Sequence, residues 1–321
     1  MPDSPAIQID DVRDAARLLE GVAVRTPLIE NLALNARVGG RTLVKFEGAQ
    51  HTGSFKFRGA YNRLARLSPP EKAAGVVAWS SGNHAQGVAC AARMLDIPAT
   101  IVMPADAPAI KAANTRALGA RIIPYDRLTE SREEIATRLA RESGATLVHA
   151  FGDPWVIEGQ GSAGVEIASQ LGQTPDRILV CCGGGGLAAG LSLACPDSAI
   201  HVVEPEGWDM VGKALETGEI VRVGDNPPST ICDALQPDAT KPINLAVLKD
   251  RAEPSVTVTD AEIRAAQRFA FSNLNLVVEP GGAAALAAAL AGKVPPSENS
   301  VIMVTGGNCD PARFAETLTS D

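Results

Sequence analysis

Between Val76 and Asn308 the chain alternates short runs rich in β-branched and aliphatic residues with longer stretches of helical spacing. The runs Gly75–Trp79, Ala99–Met103, Arg121–Tyr125, Thr146–His149, Arg177–Cys182, Ala199–Val203 and Ser300–Val304 are predicted strands. Asn83–Leu95, Ala107–Leu118, Ser131–Ser143, Trp155–Leu171 and Leu187–Ala194 are predicted helices between them, with a further helix at Phe55–Leu67. Strands alternating with helices of this length are joined by right-handed crossovers, which makes the fold class α/β with mainly parallel sheets covered on both faces. Ligands of such sheets bind beyond the carboxyl ends of strands. Three short turns stand at such ends: Ser80-Ser81-Gly82-Asn83-His84, the run Gly183–Gly186, and Thr305-Gly306-Gly307-Asn308. Three strand-end sites converging on one cleft are hard to reconcile with a purely structural protein. The region Val223–Ile243, with four prolines, is expected to be an irregular connection over the surface or near the site.

Composition narrows the class. The 321 residues suffice for two domains of ordinary size, and a 45% hydrophobic content supports a sizeable core. The net charge is −8 and no Lys/Arg cluster is present, so no nucleic-acid partner is expected. Met1-Pro2-Asp3-Ser4 lacks the basic and apolar regions of a signal peptide. The longest apolar stretch, Gly281–Gly292, is too short to span a bilayer, so no membrane partner is expected. The six cysteines include no CxxC pair and are accompanied by only four histidines, which suggests buried reduced thiols in a cytoplasmic protein. Cys181 and Cys182 close a predicted strand and should point to opposite faces.

The candidate chemistry begins at Lys56, pinned between Phe55 and Phe57 after a Thr52-Gly53-Ser54 turn. At the start of a helix and in an apolar setting, its ammonium form is disfavoured and its pKa lowered. A neutral, desolvated amine is what Schiff-base chemistry needs; a snorkelling surface lysine fits this segment equally well. Gly183–Gly186 follow an apolar strand and precede a small-residue helix, so their backbone N–H groups can form an anion nest for a phosphate. The run is neither a Walker A loop nor GxGxxG, and the alternative is a flexible turn of high chain entropy. The Ser80–His84 turn reads equally as a helix N-cap, which is compatible with an anion site. Thr305–Asn308 allows close backbone approach to a flat ligand, or serves as a plain strand-to-helix turn.

Lys56 within Ser54-Phe55-Lys56-Phe57-Arg58-Gly59, the Ser-Ser-Gly-Asn-His turn, the four-glycine run and Thr-Gly-Gly-Asn occur in an order and at separations that resemble the fold-type II enzymes using pyridoxal 5′-phosphate (PLP), most of all the threonine/serine dehydratase and serine racemase group. The resemblance covers about Asp10 to Asp310. It implies a two-domain, tryptophan synthase β-like architecture: residues 1–67 with 150–321 as a large PLP-binding domain, and 68–149 as a small mobile domain. It also implies a homodimer and a small amino-acid substrate. Lys56 would carry the PLP cofactor and act as catalytic base. Phe55 would pack on the cofactor ring, Asn83 would bond its 3′-oxygen, and Thr305 would sit beside its pyridine nitrogen. Gly183, Gly184, Gly185, Gly186 and Leu187 would hold its phosphate. Ser80, Ser81, Gly82, Asn83 and His84 would bind the substrate carboxylate. The implied activity is that of an ammonia-lyase removing the β-hydroxyl of threonine, serine or a related amino acid. The alternatives are a serine racemase, with Ser81 catalytic, or a dehydratase specific for 3-hydroxyaspartate or phenylserine.

The match departs from the family pattern in places. Where racemase-like members place an Asp to complete a divalent-cation site with Glu204 and the Trp208 carbonyl, this chain has Met210, so no metal, or a rearranged one, is expected there. Phe151 in His149-Ala150-Phe151-Gly152-Asp153-Pro154 resembles the dehydratase pattern. Asp233-Ala234-Leu235 replaces an Asp-Gly pair common in threonine dehydratases, which leaves the substrate side chain open. His51 and Arg132 are candidates to reach a second substrate carboxylate, against an ordinary rim role. The chain ends soon after Asp310, so isoleucine feedback through a C-terminal regulatory domain is not expected.

Overall fold

The computed structural model describes residues 7–107, 109–295 and 297–319. The N-terminal tetrapeptide read above against a signal peptide lies outside the described residues. Among the described residues, ten strands form two sheets: β1 (Leu28–Glu30), β2 (Thr42–Phe46), β3 (Val76–Trp79), β4 (Ala99–Pro104), β5 (Arg121–Tyr125), β6 (Thr146–Leu147), β7 (Arg177–Cys181), β8 (Ala199–Pro205), β9 (Val256–Val258) and β10 (Ser300–Val304). The larger sheet has the order β1-β2-β10-β7-β8-β9 and the smaller β5-β4-β3-β6. Every pairing is parallel except β1 with β2. The architecture is the α/β arrangement of mainly parallel sheets that the alternating pattern predicts. The three strands it does not predict, β1, β2 and β9, all lie in the larger sheet.

Side chains alternate across β7 and β10 to opposite faces. Leu179, Cys181, Ile302 and Val304 pack against the alanine-rich helix Pro280–Leu290. Ile178, Val180, Cys182, Val301 and Met303 pack against helices Pro154–Leu171 and Gly186–Ala194. Cys181 and Cys182 therefore face opposite layers, as the strand period requires. All six cysteines are free thiols. Among the described residues, no helix is long and apolar enough to cross a membrane.

The helix Lys56–Ala65 crosses between the sheets, with its apolar residues Phe57, Ala60 and Leu64 in the core beneath β3. Its first turn is pinned by charge. Arg58 is fully buried and donates to Glu47 at 2.8 Å and Glu166 at 2.7 Å. Lys45, in the middle of β2, donates to Glu166 at 2.8 Å. Two cations face two carboxylates, so the group is charge-balanced, the condition under which buried ions are tolerated. One end of this group is β2 and the residue after it; the other is the helix Pro154–Leu171.

Candidate active site

Lys56 is placed by backbone pairing. The Phe55 N–H donates to the Thr305 carbonyl at 3.2 Å, the Gly307 N–H donates to the Gly53 carbonyl at 2.9 Å, and Ser54 bridges Gly306. The segment before Lys56 thus runs as an extra half-strand against the turn that follows β10. Asn308 adds a side-chain lock, donating to the Thr52 carbonyl and to Asn83 Oδ1, both at 2.8 Å. Lys56 is the first residue of its helix, and its Nζ donates to the Ala150 carbonyl at 3.0 Å. Burial depresses its pKa to about 8. The amine therefore shifts toward the neutral form near neutral pH, which the sequence reading anticipated.

The Gly183–Gly186 run leaves the end of β7 and opens the helix Gly186–Ala194, with Gly185 at φ +91° as its cap. A Cβ on Gly184 would overlap the Phe151 ring, and one on Gly186 would lie 2.9 Å from Phe151 Cβ. Gly183 has ordinary room, with nothing nearer than 3.5 Å. The loop cannot slide, because Thr240 Oγ1 at 2.9 Å and Asn244 Nδ2 at 2.7 Å both donate to the Gly184 carbonyl. A helix start leaves its first N–H groups without intrahelical partners, and a turn bare of side chains at that point suits a phosphate.

One cleft brings together the site residues expected from the sequence other than His51: Phe55, Lys56, Ser80, Ser81, Gly82, Asn83, His84, Arg132, Gly183 to Leu187, and Thr305. Their placements differ in kind. Asn83 Nδ2 donates to Glu279 Oε1 at 2.5 Å while its Oδ1 accepts from Asn308, so its amide is held from both ends. Thr305 Oγ1 lies 3.0 Å from the Cys181 thiol. His84 departs from its expected role. It is buried, and its Nε2–H donates to the Val148 carbonyl at 3.1 Å. Burial lowers its pKa to about 3, so the ring stays neutral and Nδ1 is an acceptor. The ring offers a carboxylate no donor; only its backbone N–H, in the first turn of the helix Asn83–Met94, remains for that purpose. His51 is not among the residues lining the cleft: it bonds the Val22 carbonyl at 2.9 Å and packs edge-on against Phe57.

Two charged lining residues, Glu279 and Lys111, gave no signal in the sequence. Glu279 caps the helix Pro280–Leu290, and burial raises its pKa to about 7, opposed by Lys111 and by the Asn83 hydrogen bond. Lys111 reaches in from the small-sheet side and pairs with Asp233 at 2.7 Å. Asp233 belongs to the proline-rich 223–243 connection, which covers part of the cleft as expected. Glu204 is spent elsewhere. Its carboxylate accepts from Val211 N, Gly212 N and Ser255 Oγ at 2.8–2.9 Å, capping the helix Met210–Thr217. Among the described residues, no group of three or more His, Cys, Asp or Glu is placed to hold a metal ion.

A buried lysine of lowered pKa lines the same cleft as a glycine cradle at the end of a parallel sheet, and the residues present fit a PLP cofactor. The chain belongs to the pyridoxal-phosphate dependent enzyme family, whose model matches residues 19–306. It is 43% identical to an L-threo-3-hydroxyaspartate ammonia-lyase of Pseudomonas sp, over 96% of this chain and 97% of the relative. It is 39% identical to an enzyme of the same name from Saccharomyces cerevisiae, over 96% and 95%. Among solved structures, maize serine racemase superposes with a TM-score of 0.91 at 35% identity, covering 98% of this chain and 97% of that one.

Proposed function

We propose that this PLP-dependent enzyme is an ammonia-lyase that removes the β-hydroxyl of a hydroxy amino acid, with L-threo-3-hydroxyaspartate as the favoured substrate. The observation that carries this reading is the combination of Lys56 with two further cations, Lys111 and Arg132, lining the same cleft. One cation serves a monocarboxylic amino acid; a dicarboxylic one makes use of both. The two 3-hydroxyaspartate ammonia-lyases among the relatives support the same choice.

PLP supplies, when bound, an electron sink for negative charge developing at the substrate Cα. This chain's residues do the rest. The Gly183–Leu187 amides would hold the phosphate, Asn83 would bond the ring oxygen, Phe55 would pack on the ring, and Thr305 would be a neutral partner for the ring nitrogen. The Ser80–His84 turn orients the α-carboxylate through hydroxyls and backbone N–H groups. The Lys56 amine removes the α-proton; the β-hydroxyl leaves as water. Hydrolysis of the resulting enamine gives a 2-oxo acid and ammonia. The unit 68–149, carrying Ser80–His84, Lys111 and Arg132, moves to close the cleft over the substrate. The protein works as a cytoplasmic homodimer.

A second reading, racemisation of serine, is favoured by Ser81 in the cleft and by the likeness to maize serine racemase. One product assay separates the two. Purified holoenzyme is given L- and D-serine, L-threonine, the 3-hydroxyaspartate isomers and phenylserine, and each reaction is read for 2-oxo acid and for enantiomer exchange. Fastest 2-oxo acid formation from L-threo-3-hydroxyaspartate is expected, with Lys56→Ala abolishing it. Enantiomer exchange without 2-oxo acid would overturn the lyase assignment and make Ser81 the second base.

A further inference from the structure

Three ion pairs tie one stretch of chain to the small-sheet side of the cleft. Lys111 meets Asp233 at 2.7 Å, Arg132 meets Asp238 at 3.8 Å, and, with the polarity reversed, Lys241 meets Glu133 at 3.5 Å. All three involve the few residues between Asp233 and Lys241, so this segment is a strap across the cleft mouth. The first two cations line the cleft; neither member of the third pair does. The Lys111 side chain is only 12% exposed, so its charge needs a partner. Its Nζ lies 3.3 Å from the position a Cβ on Gly82 would take, over the turn assigned above to the α-carboxylate. The Asp233 carboxylate therefore occupies a place beside that turn where a substrate carboxylate would compete with it. Arg132 and Asp238 are both more exposed, at 37% and 69%, and further apart, so that pair is the looser one.

We propose that Asp233 and Asp238 are internal counter-ions, stand-ins for the two carboxylates of a dicarboxylic substrate. The substrate takes Lys111 with one carboxylate and Arg132 with the other, and displaces both aspartates. This inference rests on the ammonia-lyase reading and deepens its substrate class. A monocarboxylic amino acid displaces Asp233 alone and leaves Arg132 with Asp238. Asp238 is thus a selectivity determinant felt only through the second carboxylate. The Lys241–Glu133 pair stays formed in either case and keeps the strap tethered.

The test uses holoenzyme and two amino acids that carry no β-hydroxyl, L-aspartate and L-alanine, with dissociation constants read from the cofactor's visible absorbance. Michaelis constants for L-threo-3-hydroxyaspartate and L-threonine are measured beside them. Asp238→Asn should tighten L-aspartate and lower the KM for 3-hydroxyaspartate by about 2- to 5-fold, the scale of an exposed ion pair, and leave L-alanine and L-threonine unmoved. Asp233→Asn should tighten all four ligands, because it strips the counter-ion from the cation that both classes use. Glu133→Gln should leave the ratio of the two dissociation constants unchanged. Thermal unfolding confirms that the variants are folded. Unchanged or weaker L-aspartate binding by Asp238→Asn, or an equal effect on L-alanine, overturns the counter-ion role. If wild-type enzyme eliminates water from no hydroxy amino acid, the lyase reading fails instead, and the L-aspartate to L-alanine comparison still decides the role of Asp238.

Discussion

Three of the four consecutive glycines are required, each for a different reason, and alanine substitution separates them. At Gly184 a methyl group would overlap the Phe151 ring. That ring is held edge-on by His149 with centroids 4.6 Å apart, and the Phe151 N–H donates to His149 Nδ1 at 3.2 Å. The Gly184 carbonyl is itself tied down by Thr240 and Asn244. Neither partner yields freely, so Gly184→Ala should show the overpacking penalty of about 1–3 kcal/mol. Expressed in the cradle, that is a cofactor dissociation constant raised roughly 5- to 150-fold. At Gly186 the obstruction is Phe151 backbone and Cβ at 2.9–3.0 Å, atoms that an alanine at 151 retains. At Gly185 the strain is conformational, about 1–2 kcal/mol for an L-residue at φ +91°. At Gly183 nothing is obstructed. PLP titration of the apoproteins, with thermal unfolding of the apo forms to separate folding from cradle effects, gives the ranking. Gly183→Ala should bind like wild type. Adding Phe151→Ala should recover Gly184→Ala but not Gly186→Ala, as a positive coupling in a double-mutant cycle. Equal damage from Gly183→Ala and Gly184→Ala, or equal rescue at 184 and 186, would refute the steric account.

Three further outcomes are expected. Because burial lowers the Lys56 pKa to about 8, the rate at which apoprotein captures PLP should rise with pH and level off above about 8. Stopped-flow absorbance measures this, and a limb near the usual lysine value of about 10.4 would contradict the burial effect. The Glu279 pKa is raised to about 7, so the folded state holds a proton that the unfolded chain has already lost above its own carboxylate value. Its contribution to stability is complete below about 4.3 and is lost as pH rises toward 7. Glu279→Gln should therefore gain in melting temperature relative to wild type across that window, and a constant difference would remove the titration from Glu279. Arg58→Met leaves Glu47 buried without its cation and should lower the unfolding free energy by about 3–5 kcal/mol in urea titration; a loss under 1 kcal/mol would mean that water reaches the cluster.

The sequence pattern located the parts of the fold where period and composition agree. Arg121–Tyr125 and Ser300–Val304 are strands at the bounds read from the residues, because each is a compact apolar run between clear turn signals. Strand β2, next to the edge of the larger sheet, escaped because Lys45 interrupts its apolar character. That lysine is buried, with Glu166 and Gln170 accepting from it at 2.8 Å, and both lie far along the chain. β1 and β9 are three residues each, too short for any period to show. Within the site, residues that carry a local turn signature were legible, whereas Lys111 and Glu279 are brought in by tertiary packing alone. His51, read as either a second-carboxylate ligand or an ordinary rim residue, stays out of the cleft, its ring serving the Val22 carbonyl. His84 was found in the right turn but with its side chain turned inward to Val148.

The pairing of the segment before Lys56 with the turn after β10 also sets an order of events during synthesis. Asn308 and Thr52, joined by a hydrogen bond, are 256 residues apart. β10 enters the larger sheet between β2 and β7, so that sheet stays split until residues 300–304 have been made. At about 5–20 residues per second, Thr305 leaves the ribosome roughly 12–50 s after Lys56. Throughout that interval the lysine has no Thr305 carbonyl to anchor the residue before it and no finished wall around its amine. The nascent protein is thus blind to its cofactor until the final strand arrives, and loading with PLP marks the completion of the fold.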